Sequence, residues 1–224
     1  MNKRLQTIAS LIEPGVGVID VGTDHGYLPA ALAASSYPGR LFASDINADP
    51  LSKARKTAAL AGVSDRLQFL LCDGLRLCPP EKVDTIVIAG MGGDVIVKIL
   101  DEAEWCMDRR YHLILQPMSK AEILRYWLVN NEFGIQRELL VEDGGCLYQI
   151  LSVRFGSATK LRDIELFAGA AACAGDAALY RRQAEKLERR MQKALAGMEG
   201  REDAARTALY RELYYQAKEL KESL

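Results

Sequence analysis

Ile19-Asp-Val-Gly-Thr-Asp-His-Gly-Tyr-Leu-Pro29 is the stretch that decides the fold. Its front half, with Val16 to Val21, is an apolar run with a glycine only near its start, as a short buried strand requires. The run breaks at Gly22, and Gly26 follows four residues later. Gly26 to Ser35 is rich in Leu and Ala and suits a helix. Pro29 falls in the first turn of that helix, where a missing N–H costs nothing. A strand, a glycine turn and a helix N-terminus together let backbone approach a bound ligand closely. The same pattern also fits an ordinary strand-to-helix turn, and the following residues separate the two.

Acidic residues recur where a nucleoside site needs them. Leu41-Phe-Ala-Ser-Asp45 is a second apolar run ending in a carboxylate, followed by Ile46. It lies about two dozen residues past Asp20, the offset of the ribose-binding acid in Rossmann-like folds. A third run, Leu67 to Cys72, ends in Asp73-Gly74, and a fourth, Asp84 to Ala89, ends in Gly90-Met-Gly-Gly93. Ligands of doubly wound sheets bind beyond the carboxyl ends of the strands, so four such ends bearing Gly or Asp point to a site. A dinucleotide fingerprint needs glycine at the middle of G-x-G-x-x-G, but Gly22 is followed by Thr23, Asp24 and His25. Asp24 would also set negative charge against a pyrophosphate. A phosphate-free cofactor with an amino group and a sulfonium fits better, which indicates S-adenosylmethionine rather than a nicotinamide.

Apolar runs alternate with amphipathic segments up to about Asn130. Helices are predicted at 2–12, 26–35, 48–61, 93–102 and 120–130, and strands near 16–21, 41–45, 67–71, 84–89 and 111–116. Such alternation predicts βαβ units and a parallel sheet. Gly134 to Glu142 and Cys146 to Phe155 flank Asp143-Gly144-Gly145 and predict a β-hairpin. From about Leu161 strand signals vanish. Tyr180, Ala184, Leu187, Met191, Leu195 and Met198 recur at helical spacing, as do Leu209, Leu213, Gln216 and Leu220 after Gly197-Met-Glu-Gly200. Two helices forming an antiparallel hairpin are the simplest solution, with structural, dimerising and RNA-holding roles all open.

Composition narrows the class. The chain has 224 residues, enough for one α/β domain and an appendage, and 49% of them are apolar. There is no long uncharged apolar run and no signal-peptide pattern, so a cytoplasmic location is expected. Five scattered cysteines (Cys72, Cys78, Cys106, Cys146, Cys173) without a C-x-x-C pair predict reduced thiols, and with His25 and His112 as the only histidines no metal site is expected. The net charge of −1 gives no global basic footprint; residues 157–224 carry +2 and residues 1–156 carry −3. Arg181, Arg182, Arg189 and Arg190 share one side of a helix and are the candidate phosphate contacts, with a solvated face as the alternative.

Ile19 to Pro29 resembles the IGSDHAYLP signature of the bacterial tRNA (adenine-N1) methyltransferases that act on adenine 22, the TrmK family. Ile86-Val-Ile-Ala-Gly-Met-Gly-Gly93, Leu113-Ile-Leu-Gln-Pro117 and Leu147-Tyr-Gln-Ile-Leu151 agree in order and approximate spacing, and the Arg4-Leu5 start and helical tail are similar too. The resemblance spans nearly the whole chain. It implies a Rossmann-like class I methyltransferase, with a mostly parallel seven-stranded sheet closed by a β-hairpin over residues 1–157. A coiled-coil-like helical hairpin would occupy 158–224. The implied reaction is methyl transfer from S-adenosylmethionine to N1 of adenine 22 in tRNA. Some family members carry Asn after the Gln-Pro pair, where this chain has Met118.

Residue roles follow on the matching positions. Gly22 and Gly26 would let the turn approach the methionine part of the cofactor. Asp20 or Asp24 would accept from its ammonium, or Asp20 would cap the turn instead. Asp45 would bind the ribose beside Ile46, with Asn47 or Asp49 as alternatives. Asp73 would accept from the adenine amine, and Gly74 would leave room for the ring. Gly90, Met91 and Gly92 would floor the space between cofactor and target base. Asp24, His25 and Gln116 are the base-side candidates, although His25 also suits a core or cap position. Since N1 lies on the pairing edge, the base must be unpaired first, and Tyr27, ahead of Trp105, Tyr126 and Trp127, is placed to stack on it. Absence of an Asn/Asp-Pro-Pro-aromatic motif after the fourth strand argues against typical amino-group methylation. Two rivals share parts of this pattern. A small-molecule methyltransferase would not need the arginine-bearing tail. A non-catalytic RNA-binding protein with a relic pocket should have lost the acidic residues, which are all present. A nicotinamide enzyme survives only if the first turn lies elsewhere.

Overall fold

The computed structural model describes residues 1–157, 159–170, 176–198 and 203–223. In chain order the strands are β1 (Val18–Val21), β2 (Leu41–Asp45), β3 (Leu67–Leu71), β4 (Thr85–Gly92), β5 (His112–Ser119), β6 (Phe133–Asp143) and β7 (Cys146–Phe155). They form one sheet in the order β3-β2-β1-β4-β5-β7-β6. The first five strands run parallel to one another, and β7 runs antiparallel to both β5 and β6. Because β1 sits between β2 and β4, the strand order reverses there, and a crevice opens beyond the carboxyl ends.

Strand periodicity divides the core in two. Ile19 and Val21, Ile86 and Ile88, and Leu113 and Leu115 face one side, with Ile96 and Leu100 of helix α4 (Gly93–Asp101) and Leu124 and Leu128 of α5 (Ala121–Asn130). Val18, Val87 and Ile114 face the other side, with Ile8 of α1 (Lys3–Ser10), Leu28 of α2 (Tyr27–Ala34) and Ala58 of α3 (Ala48–Leu60). Burial on both faces is what makes these strands read as unbroken apolar runs. Asp20 is the exception in β1, and it falls on the α1 side.

The predicted strands and helices are present, with three differences. First, β1 begins at Val18, while β4 and β5 run past Ala89 and Gln116 to Gly92 and Ser119. Their register shifts between Ala89 and Met91 and again before Gly92, a bulge around Gly90 at φ 83° that re-aims Met91. Second, a short helix, α6 (Asp163–Ala168), precedes α7 (Ala177–Ala196) and α8 (Ala204–Glu222). Third, the inward face of α8 is Leu213 and Ala217 with Tyr210, Tyr214 and Leu220, while Leu209 is exposed.

The pairing of Lys221 with Glu188 and the contact of Thr207 with Met198 show that α7 and α8 run antiparallel. Their core, including Tyr180, Leu187 and Met191, meets Ile164 and Ala168 of α6 and Leu140 of β6. Between this hairpin and the sheet lies Arg125, fully buried, donating to Glu138, to Gln149 Oε1 (2.8 Å) and to the Leu166 carbonyl (2.7 Å). Gly200 and Cys173 lie outside the described residues. Among the described residues Cys72, Cys78 and Cys106 are buried free thiols, Cys146 is exposed, and no helix is long and apolar enough to cross a membrane.

Candidate active site

The turn after β1 is fastened to β2: the N–H groups of Gly22 and Thr23 both donate to the Ser44 carbonyl, at 2.8 and 2.9 Å. Asp24 then takes a left-handed conformation (φ 49°), which Asp tolerates better than most residues, and its carboxylate stays exposed. His25 Nε2 lies 3.7 Å from Asp24 Oδ2, and the imidazole stacks on Tyr27 with ring centroids 5.2 Å apart. The two rings form an outward-facing platform, since Tyr27 is 52% exposed.

Two cavities meet at Gly22. The first, about 330 Å³, is lined by Asp45, Ile46, Asp73, Gly74 and Met91. Asp45 sits at the end of β2, where its Oδ1 accepts from the Asn47 N–H at 2.9 Å and its other oxygen has no hydrogen-bond partner among the described residues. Ile46 is 59% exposed, an apolar surface beside that carboxylate. Asp49 is taken up by Lys53 at 2.8 Å, so of these two acids it is Asp45 that faces the cavity. Gly74 takes a left-handed conformation (φ 56°) that favours glycine, and it lies close against the Ile99 side chain.

The second cavity, about 270 Å³, is lined by Arg4, Asp20, Asp24, His25, Gly90 and Tyr148, among others. A side chain on Gly22 would place its Cβ 2.0 Å from the Met91 methyl, so glycine is what lets Met91 lie across the junction. Gly26 has a different reason: its Cβ would come within 2.8 Å of the Ala54 Cβ, so it serves close packing of α2 on α3 rather than ligand approach. Asp20 is buried and accepts from the Thr23 hydroxyl at 2.6 Å. Burial pushes its carboxyl up to about 6; the Thr23 bond and the Arg4 charge oppose that shift, and the Asp45 charge adds to it.

Sequence reasoning assigned no role to Arg4. Its guanidinium donates to Gln116 Oε1, lies 5.3 Å from the Tyr148 ring centroid and is 3.5 Å from where a Gly90 Cβ would sit. Its own N–H donates to Asp143 Oδ2 at 3.0 Å. The only trace in the sequence was the Arg4-Leu5 start, which says nothing of where α1 docks. Gln116 sits behind Arg4, as the acceptor of its guanidinium. It is fully buried, its Nε2 donates to the Pro117 carbonyl at 3.0 Å, and it does not line the cavity. It holds Arg4 in place, and Arg4 is the group that faces the cavity. Trp105 and Trp127 pack against the core under α4 and α5, and Tyr126 is exposed away from either cavity.

The donor set fits S-adenosylmethionine. An acid and an apolar surface suit a ribose and adenine in the first cavity; a guanidinium beside two carboxylates suits a zwitterionic amino-acid tail in the second. Among the described residues no cluster of His, Cys, Asp and Glu could hold a metal ion.

A family model described as a methyltransferase domain matches residues 1–151. The tRNA (adenine(22)-N(1))-methyltransferase of Bacillus subtilis is 32% identical over 170 residues, which are 75% of this chain and 71% of that protein. Among solved structures, the B. subtilis m1A22 tRNA methyltransferase TrmK superposes with a TM-score of 0.80 at 26% identity, covering 99% of this chain and 97% of the other. A Streptococcus pneumoniae protein provisionally called a tRNA (m1A22) methyltransferase, crystallised with S-adenosyl-L-methionine, gives 0.83 at 27% identity, covering 99% of both chains.

Proposed function

The chain belongs to the tRNA (adenine(22)-N(1))-methyltransferase family, and from that premise we propose how its residues move the methyl group of S-adenosylmethionine to N1 of adenine 22 in tRNA. The observation that carries the residue assignment is the pair of cavities joined at Gly22, one suited to a nucleoside and the other to an amino-acid tail. Asp45 holds the ribose, Asp73 accepts from the adenine amine, and Ile46, Gly74 and Met91 bound the ring. Arg4 meets the carboxylate of the methionine tail, and Asp20 and Asp24 face its ammonium. Bound there, S-adenosylmethionine supplies a methyl group on a sulfonium, which N1 accepts with its own lone pair.

No side chain therefore needs to remove a proton, and the protein's work is alignment and charge stabilisation. The methylated base is cationic, and Asp24, the exposed carboxylate at the cavity mouth, is placed to stabilise it. His25 and Tyr27 present a stacked surface on which an extruded base can rest. Gly90 and Gly92 keep the floor low enough for it to approach.

The same proposal divides the chain into a cofactor unit, residues 1–157, and an RNA-holding unit, residues 158–224, working in the cytoplasm where tRNA is found. Arg182 and Arg190 are already paired with Glu142 and Glu122, so they anchor α7 to the sheet unit. The exposed Arg181 and Arg189 remain as the phosphate contacts.

The test is transfer of tritium from labelled S-adenosylmethionine to unmodified tRNA, followed by nucleoside analysis. Label should appear as N1-methyladenosine and be lost in Asp24→Ala even at S-adenosylmethionine concentrations that saturate the variant. Cofactor binding without transfer to any tRNA would exclude the tRNA acceptor.

A further inference from the structure

A third cleft, of about 340 Å³, opens between the end of β5, strand β7 and helices α6 and α7. Its volume lies in the range of ligand pockets, roughly 300–1,000 Å³. It belongs neither to the nucleoside cavity nor to the tail cavity, yet Met118 lines both it and the tail cavity, so the two adjoin at that side chain.

Two amides point into it. Gln183 is 7% exposed and makes no hydrogen bond among the described residues. It interrupts the apolar stripe of α7, between Tyr180 and Leu187, where packing alone calls for a hydrocarbon. Gln149 is 8% exposed; its Oε1 is held by Arg125, and its Nε2 makes no hydrogen bond among the described residues. Neither amide is among the side-chain atoms sealed from solvent without a partner, so the unpaired atoms of both are presented to the open cleft, where a ligand can take the place of water. Beside the amides are Phe167, whose ring lies 5.7 Å from the Arg190 guanidinium, and the exposed Lys186. Lys120 also lines the cleft, but its ammonium is held by Asp94 at 2.6 Å.

Amide donors and acceptors, an aromatic face and a free cation are the groups that recognise an unstacked nucleotide. We propose that this cleft takes up the nucleotide of the RNA adjacent to the methylated adenosine, with Gln149 and Gln183 on its base edge, Phe167 against its face and Lys186 on its phosphate. The proposal rests on the chain being a tRNA methyltransferase and adds a second base-reading pocket to that activity. Docking a neighbour in the cleft that adjoins the tail cavity at Met118 would hold the strand splayed, which keeps the target base out of its stack.

The test measures kcat/KM for tRNA at saturating S-adenosylmethionine in the wild type, Gln183→Leu and Lys186→Ala. Substrates are the intact transcript and transcripts with one abasic residue on either side of the target. Leucine suits a buried helical position, so Gln183→Leu should fold at least as stably as the wild type; Lys186 is exposed and its removal leaves the core untouched. Gln183→Leu should lose roughly tenfold on intact tRNA, the effect of one desolvated hydrogen bond, through KM and with cofactor affinity unchanged. On the transcript lacking the docked base Gln183→Leu should lose nothing further, while Lys186→Ala still weakens binding because the phosphate remains. Wild-type behaviour of Gln183→Leu, or equal losses on all three substrates, would overturn the pocket. Absence of methylation by the wild type would instead overturn the tRNA activity itself, and the pocket with it.

Discussion

Burying a carboxylate raises the free energy of its charged form, and Asp20, held near a pKa of about 6, is ionised at neutral pH at the expense of the fold. Between pH 3.8 and about 6 the folded chain binds the proton that the unfolded chain releases, so this contribution is fully present below 3.8 and is lost as pH rises through 6. Asp20→Asn removes the penalty while keeping the acceptor for Thr23. Calorimetry should find the variant more stable by up to about 3 kcal/mol at pH 8 and equal to the wild type below pH 3.8. Cofactor titrations should show the reverse balance: affinity of the wild type weakening below pH 6, and the variant binding poorly and without that pH dependence. A pH-independent stability difference would show that the carboxylate is solvated. That Asp20, Asp45, Asp73 and Gly22 come together around two adjoining cavities was legible in the sequence, because strand ends in an alternating α/β chain must converge on one edge. Arg4 and the true place of Gln116 were not, since their contact joins residues 112 positions apart and depends on where α1 docks. Gly26 was misread for a related reason: its neighbour, Ala54, lies on another helix.

Among the elements, the weakest sequence signal belonged to α6, a helix of six residues that shows too little of a period to be read. What fixes it is Arg125 on α5, through the Leu166 carbonyl. The same guanidinium neutralises Glu138 on β6, itself 4% exposed, and Gly169 (φ 89°) passes so close to that carboxylate that a Cβ would lie 2.6 Å from Oε1. Arg125→Met would leave Glu138 charged and unpaired in the interior, a loss of about 3–5 kcal/mol. Urea unfolding should show it, and adding Glu138→Leu should recover most of the loss, because packed hydrocarbon replaces a buried pair at little net cost. If the double variant is no better than the single one, the network contributes geometry rather than charge balance. The faces of α7 followed their spacing, but α8 did not: its packing uses Ala217 and the tyrosine rings, residues that a Leu-based pattern passes over.

For the molecule as a whole, the formal charge of −1 means that any attraction for RNA is local. The anchoring of Arg182 and Arg190 sets α7 against the sheet and turns Arg181 and Arg189 outward. Replacing both outward arginines by alanine should reduce the slope of log affinity for tRNA against log salt by about 1.5, as expected for two phosphate contacts, with cofactor affinity unchanged. An unaltered slope would assign them to a merely solvated face. The order of events in making the protein also follows from the Arg4 contacts described above. The cavity lined by Arg4, Asp20 and Asp24 needs residue 4 against Asp143, across 139 residues of chain, and β5 reaches its neighbour β7 only after β6 has been made. Contacts so distant in sequence are slow to close and form late. A ribosome that has delivered the whole glycine signature has therefore not yet delivered a binding site; the first residues to emerge wait, largely unpartnered, for nearly the last of the sheet.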